Sequence, residues 1–202
     1  MRKGVLAVFI VALFAVSAQA GPTLFSDNFD TENGGLEALD YAGFANWTVS
    51  DGTVDLIGNG GTYDFQPGHG LYVDMDGSTQ DAGKMLTSSS LDLAPGTYVL
   101  SFDLAGNQRS GSADSVTVQV NMGSVFSKEY TLAKDEPFQT FTETIVVDTP
   151  TMASLSFEGA GGDNVGMLLD NVSVAAIPAP GAVLLGSLGA GLVGWLRRRT
   201  SL

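Results

Sequence analysis

The segment Gly96-Thr97-Tyr98-Val99-Leu100-Ser101-Phe102-Asp103-Leu104 decides the fold. Tyr98, Leu100, Phe102 and Leu104 share one parity; Val99, Ser101 and Asp103 take the other. Strand side chains alternate between two faces, so this is a strand with one apolar face. The turn Ala94-Pro95-Gly96-Thr97 leads into it. Outward from here the same period recurs at Leu71, Val73 and Met75, and at Val116, Val118, Val120 and Met122. It recurs at Phe141, Glu143, Ile145 and Val147 with one polar interruption, and at Ala153, Leu155 and Phe157. Gly34-Gly35, Gly60-Gly61 and Gly159 to Gly162 mark loops. No helical period of any length runs between Gly21 and Ile177. These segments predict an all-β, antiparallel β-sandwich. Asp74 and Asp76 lie on the parity opposite Leu71 and Val73, and solvent is their expected surrounding.

The chain has 202 residues, 22 Asp and Glu against 9 Lys and Arg, one His and no Cys, with a net charge of −13. The acidic balance argues against nucleic acid, whose phosphates need clustered basic side chains. Without Cys there are no disulfides, thiolate metal sites or Cys nucleophiles. A single His excludes multi-His zinc sites. Five basic residues sit at the ends: Arg2, Lys3, Arg197, Arg198 and Arg199. Every acid lies between Asp27 and Asp170, with only Lys84, Arg109, Lys128 and Lys134 among them. Four bases against 22 acids leave this body at −18.

The two ends read as addresses. Met1-Arg2-Lys3, an uncharged run from Gly4 to Val16 and Ala18-Gln19-Ala20 make a secretory signal peptide over residues 1–20, with cleavage after Ala20. The alternative is an N-terminal anchor, for which the run is short. At the other end, Pro178-Ala179-Pro180 precedes the uncharged stretch from Gly181 to Leu196 and the cluster Arg197-Arg198-Arg199. That stretch is slightly short for a span, but its glycines suit close packing in a membrane, and Trp195 and the arginines suit a cytoplasmic boundary. A buried core helix is the alternative. The body is residues 21–176 and the tail is residues 177–202, with a transmembrane helix over 181–196 and a basic tail over 197–199.

This tail resembles the PEP-CTERM sorting signal of Gram-negative bacteria, with Ala179 where the family has Glu. The resemblance implies an exosortase as partner, membrane attachment before processing, and delivery to the cell surface, outer membrane or extracellular matrix.

The body carries a second resemblance. Phe25-Ser26-Asp27-Asn28-Phe29-Asp30, then Trp47, then Gly70-Leu71-Tyr72-Val73-Asp74, then Gly96 to Phe102, and finally Leu168-Leu169-Asp170-Asn171-Val172-Ser173-Val174 follow in order. This is similar to the galactose-binding-like jelly roll of many carbohydrate-binding modules. If Leu168, Val172 and Val174 face the core, Asp170 faces it too, and Asp27 shares parity with Phe25 and Phe29. A buried carboxylate needs a partner, and basic partners are scarce. Ca²⁺ accepts oxygen ligands in flexible geometry. The resemblance implies a structural calcium on Asp27 and Asp170, with Asp30 or Glu32 helping. A β-bulge or backbone N–H donors are the alternatives.

Candidate ligand contacts are Tyr63, Tyr72, Asn107 and Arg109: aromatic faces with amide and guanidinium groups nearby, the usual makings of a polar-lined cleft. Tyr98 is excluded by its core parity. Trp47 reads as a core anchor, Arg109 first as a surface ion pair and only then as a ligand contact, and His69 as a loop residue in the segment from Gly58 to Gly70. No catalytic residue is assigned, because no nucleophile elbow, phosphate loop or Cys/His cluster is present. The expected function is non-covalent polysaccharide binding by an exported surface protein. The alternatives are a structural or adhesion protein with protein partners and, remotely, a glycoside hydrolase using two of the acids.

Overall fold

The computed structural model describes residues 21–178 apart from 80, 82, 110–114 and 161–163. The export and sorting expectations at Ala18, Ala20, Ala179, Pro180, Arg197, Arg198 and Arg199 lie outside the described residues. No helix among the described residues is long and apolar enough to cross a membrane. One compact unit, Ala20–Ile177, contains the strands.

The described residues form thirteen strands and one single-turn 3₁₀ helix, Glu32–Gly35. The first sheet contains β1 (Thr23–Asp27), β3 (Asp55–Gly58), β4 (Leu71–Asp74), β7 (Gly96–Ala105), β10 (Gln139–Val147) and β13 (Leu168–Ile177). Its order is β10-β7-β13-β4-β3, and β1 also pairs with β13. The second sheet has the order β2-β5-β12-β8-β9. Its strands are β2 (Trp47–Ser50), β5 (Lys84–Thr87), β8 (Ser115–Met122), β9 (Phe126–Ala133) and β12 (Leu155–Gly159). The short strands β6 (Leu91–Leu93) and β11 (Thr151–Ala153) pair with each other. Every pairing is antiparallel.

The sheets meet through their alternating apolar faces. Tyr98, Leu100, Phe102 and Leu104 of β7 are all buried in one core with Leu155 and Phe157 of β12. The Phe157 ring meets Phe102 edge-on at 5.3 Å and Trp47 at 5.9 Å between centroids. Edge-to-face pairs add to the apolar area they remove from water. Trp47 is the core anchor its position suggested.

Strand β13 departs from the expected parity. It pairs with β4 at Leu168 and Leu169, then with β1 from Val172 to Ala175. Between Asp170 and Ser173 its register with β7 shifts, and Asn171 takes the left-handed conformation (φ 50°). This irregularity reverses the facing. Leu169, Val172 and Val174 enter the core, while Leu168 joins a small cluster on the outer face with Ile57, Tyr72 and Ala105. Asp170 therefore points outward, opposite Asp103 of β7, and not into the core as strict alternation implied.

Asp74 and Asp76 are on the outward parity as expected, yet both are buried. The segment between β3 and β4 forms a roof beside them, with Phe65 packed on the Ile57–Tyr72–Ala105–Leu168 cluster. Gly58 starts it at φ 107°, where an added side chain would strike the Gly70 carbonyl. Parity predicted the face; cover from the segments holding Arg109 and Gly166, both bonded to Asp74, decided the solvation.

Replacing Phe157 with Ala should cost about 3–5 kcal/mol in urea unfolding, the range for deleting a buried aromatic ring. Thr142→Ala, on the exposed outer face, should change stability by no more than about 0.5 kcal/mol.

Candidate functional site

Strand register lays out the outward face of the first sheet. Asp170, Asp103 and Thr140 stand side by side. The next row is Ser26, Ser173, Ser101 and Thr142. Beyond it lie Ala175, Val99 and Thr144. Thr140, Thr142 and Thr144 are exposed. Ser26 and Ser173 also line an open cleft of about 530 Å³ with Asn28, Thr31, Asn46 and Asn171. The surface is thus rich in hydroxyl and amide groups, each able to donate and accept.

Aromatic rings gather where the roof meets this face. His69 lies over Phe138 at 4.7 Å between centroids, with the planes 39° apart. Phe138 meets the edge of Tyr72 at 5.4 Å, and Tyr63 lies 6.4 Å from Phe65. Tyr63 is 39% exposed, and His69 is exposed. Phe65 and Phe138 are half-buried.

The four expected ligand residues fall in this neighbourhood with different tasks. Tyr63 offers its ring to solvent. Tyr72 is buried; its hydroxyl accepts from Gln66 N at 2.9 Å and donates to Asp64 Oδ1 at 3.2 Å. Burial pushes that hydroxyl's pKa up. Asn107 is also buried, and its Oδ1 accepts from Arg109 N at 2.8 Å. Arg109 donates to Asp74 Oδ2 at 2.5 Å and to the Asn164 carbonyl at 2.6 Å, and its guanidinium sits 5.2 Å from the centre of the Phe65 ring. Tyr72, Asn107 and Arg109 therefore build and hold the roof, and Tyr63 is the member with its ring in solvent. Phe65 and Phe138 escaped the sequence reading. Their one signal was an isolated aromatic beside Pro or Gly: Phe138 follows Pro137, and Phe65 sits in the Gly-rich segment.

The expected calcium ligands are occupied by N–H donors. Asp27 Oδ1 accepts from Phe29 N at 2.9 Å. Its Oδ2 accepts from Trp47 Nε1 at 2.9 Å and Asn46 Nδ2 at 3.1 Å. Asp30 accepts from Leu71 N at 3.0 Å and Asn28 Nδ2 at 2.7 Å. Asp170 accepts from Asn171 N at 2.7 Å and Asn171 Nδ2 at 3.1 Å. Glu32, the possible helper, accepts from Ala45 N. Among the described residues no group of three or more acidic or His side chains is arranged to hold a metal ion. As placed, these carboxylates are compensated by N–H groups.

Two carboxyls are strongly perturbed. Burial pushes Asp170 up to about 7, and the charges of Asp103, Asp30 and Asp27 push in the same direction. Burial also raises Asp74 to about 7, against the pull of Arg109.

Asp27→Ala should cost about 1–3 kcal/mol, because it leaves the buried Trp47 indole N–H without its acceptor. Urea unfolding read by Trp fluorescence checks this. For Asp170, a raised folded-state pKa means that folding favours the protonated form. Its contribution is present at acid pH and lost as pH rises from the ordinary carboxylate range through about 7. Asp170→Asn should therefore gain stability relative to the parent as pH goes from about 4 to about 8, measured as the pH dependence of the unfolding midpoint.

No protein-family model matches the chain, and no curated protein does. Solved structures share its fold. The CBM22-type xylan-binding domain of Paenibacillus barcinonensis Xyn10C is 15% identical, with a TM-score of 0.50 over 81% of this chain and 99% of that one. A cleaved adhesin domain of the Lys-gingipain of Porphyromonas gingivalis is 16% identical, with a TM-score of 0.51 over 77% of this chain and 99% of that one. At such identity the likeness is one of fold: the body is an antiparallel β-sandwich similar to both.

Proposed function

We propose that the body is a polysaccharide-binding module that holds its ligand non-covalently on the outward face of the first sheet. The observation that carries this is the group of partly exposed rings, Tyr63, His69 and Phe138, at the end of an open face of hydroxyl and amide groups. A pyranose presents apolar C–H faces and a rim of hydroxyls. Rings cover the first, and Ser101, Thr140, Thr142 and Asn171 suit the second. The fold shared with a xylan-binding domain supports the same reading, as does the jelly-roll order of motifs in the sequence. In this reading the signal peptide exports the protein. The tail, a PEP-CTERM-like signal, holds it in the inner membrane until an exosortase processes it for display on the cell surface or in the extracellular matrix.

Catalysis is not part of the proposal. The carboxyls with raised pKa are the natural candidates for a general acid, but Asp74 is 0% and Asp170 1% exposed, and Arg109 holds Asp74. A general acid must reach the bond it protonates. A structural or adhesive role has one observation of its own. Val146 and Ile177 flank Thr97 on the outer face and are 63% and 42% exposed, an apolar end open to a protein partner.

No step of binding runs through calcium. If the ion displaces the N–H donors on Asp30 and Asp170, calcium will raise the melting temperature over EDTA and Asp170→Asn will abolish the rise. Coincident melts would leave hydrogen bonds as the compensation.

Affinity electrophoresis against a panel of polysaccharides tests the main reading. The protein should be retarded by at least one polymer, and Tyr63→Ala should weaken that binding about fivefold, the scale of one ring contact, without lowering the unfolding midpoint. Retardation by none would overturn it.

A further inference from the structure

The same site constrains which polysaccharides it takes. The body contains four basic side chains, and each is engaged by an acid. Lys84 pairs with Glu158 at 3.1 Å, Arg109 with Asp74 at 2.5 Å, Lys128 with Glu143 at 2.5 Å, and Lys134 with Asp135 at 2.6 Å. The undescribed residues within the body, 80, 82, 110–114 and 161–163, include no Lys or Arg. Along the open rows of the outward face the charged groups are acids: Asp103 and Asp170 oppose each other across β7 and β13. Asp103 accepts from Asn171 Nδ2 at 2.9 Å and has no cation among its hydrogen-bond partners in the described residues. Behind them stand Asp27 and Asp30 at the end of β1. The donors left for a ligand are neutral hydroxyl, amide and imidazole groups.

Recognition of a carboxylate, sulfate or phosphate draws on Arg or Lys, because charge-assisted bonds must offset the anion's desolvation. Here an anionic group would meet like charge at close range and the field of a strongly acidic body at longer range. We propose that the face binds uncharged polysaccharide and rejects chains bearing uronate, sulfate or phosphate groups. This rests on the polysaccharide reading above and adds the ligand class. The selection is negative: a neutral chain suffers nothing from the acids, whereas an anionic chain of the same backbone is repelled.

The test uses matched pairs of polymers: neutral xylan, β-1,3-glucan and β-1,4-glucan, each beside its carboxymethylated form, at pH 8 and low salt. The neutral member of the binding pair should be held at least tenfold more tightly than its carboxymethylated form. High salt should narrow the gap, since at about 1 M the screening length falls to about 3 Å. Asp103→Asn should narrow it too, by improving affinity for the carboxymethylated form more than for the neutral one. Equal affinities for a pair, or affinity for the anionic form that salt weakens, would overturn the inference and leave the binding module standing. Binding to none of these polymers, nor to any of the wider panel above, would overturn both.

Discussion

The outward face depends on one buried ion pair. Asp74, in a short strand, accepts from Arg109 in the segment after β7 and, through its other oxygen, from Gly166 N ahead of β13. Arg109 in turn holds the Asn164 carbonyl and lies over Phe65. Three segments remote in sequence are thus tied to one carboxylate. A buried pair adds little net stability over an apolar replacement, but losing one partner strands the other in a dry site. Its consequence here is positional. The pair pins the roof over Tyr72 and Leu168, and so places Tyr63 and His69 at the border of the open rows.

Acidity gives this arrangement its character. A chain with so few bases cannot neutralise its shielded acids by ion pairs alone. Asp27, Asp30 and Asp170 lean on indole, amide and backbone N–H donors, each an oriented dipole that does the work of a cation at short range. Where burial outweighs such donors, the carboxyl is pushed up, as at Asp170. The electrostatics that leave the open rows hydroxyl-rich and without Lys or Arg follow from the same scarcity.

The strands of the core were legible because alternation is a local property. Tyr98 to Leu104 could be read without any neighbour, and so could Trp47 as an anchor. Strand β9 was harder to see, since Lys128 interrupts its inward parity; in the fold that lysine reaches Glu143 across the edge of the sandwich. Phe138 had no period to reveal it, lying between a proline and a strand. The facing of Asp170 was misjudged because the irregularity at Asn171 leaves no mark in a pattern of residue types.

By itself the sequence determined the all-β class, the antiparallel pairing and the inward face of most strands, because these follow from a period of two and from turn residues. It also determined the charge balance that argues against nucleic-acid partners. Only the tertiary structure decided which acids are dry, which of the four expected ligand residues reaches solvent, and which way Asp170 points. Those outcomes depend on a loop folding over a sheet face and on a register shift between strands. Both are set by contacts between residues far apart in the chain, which no local pattern records.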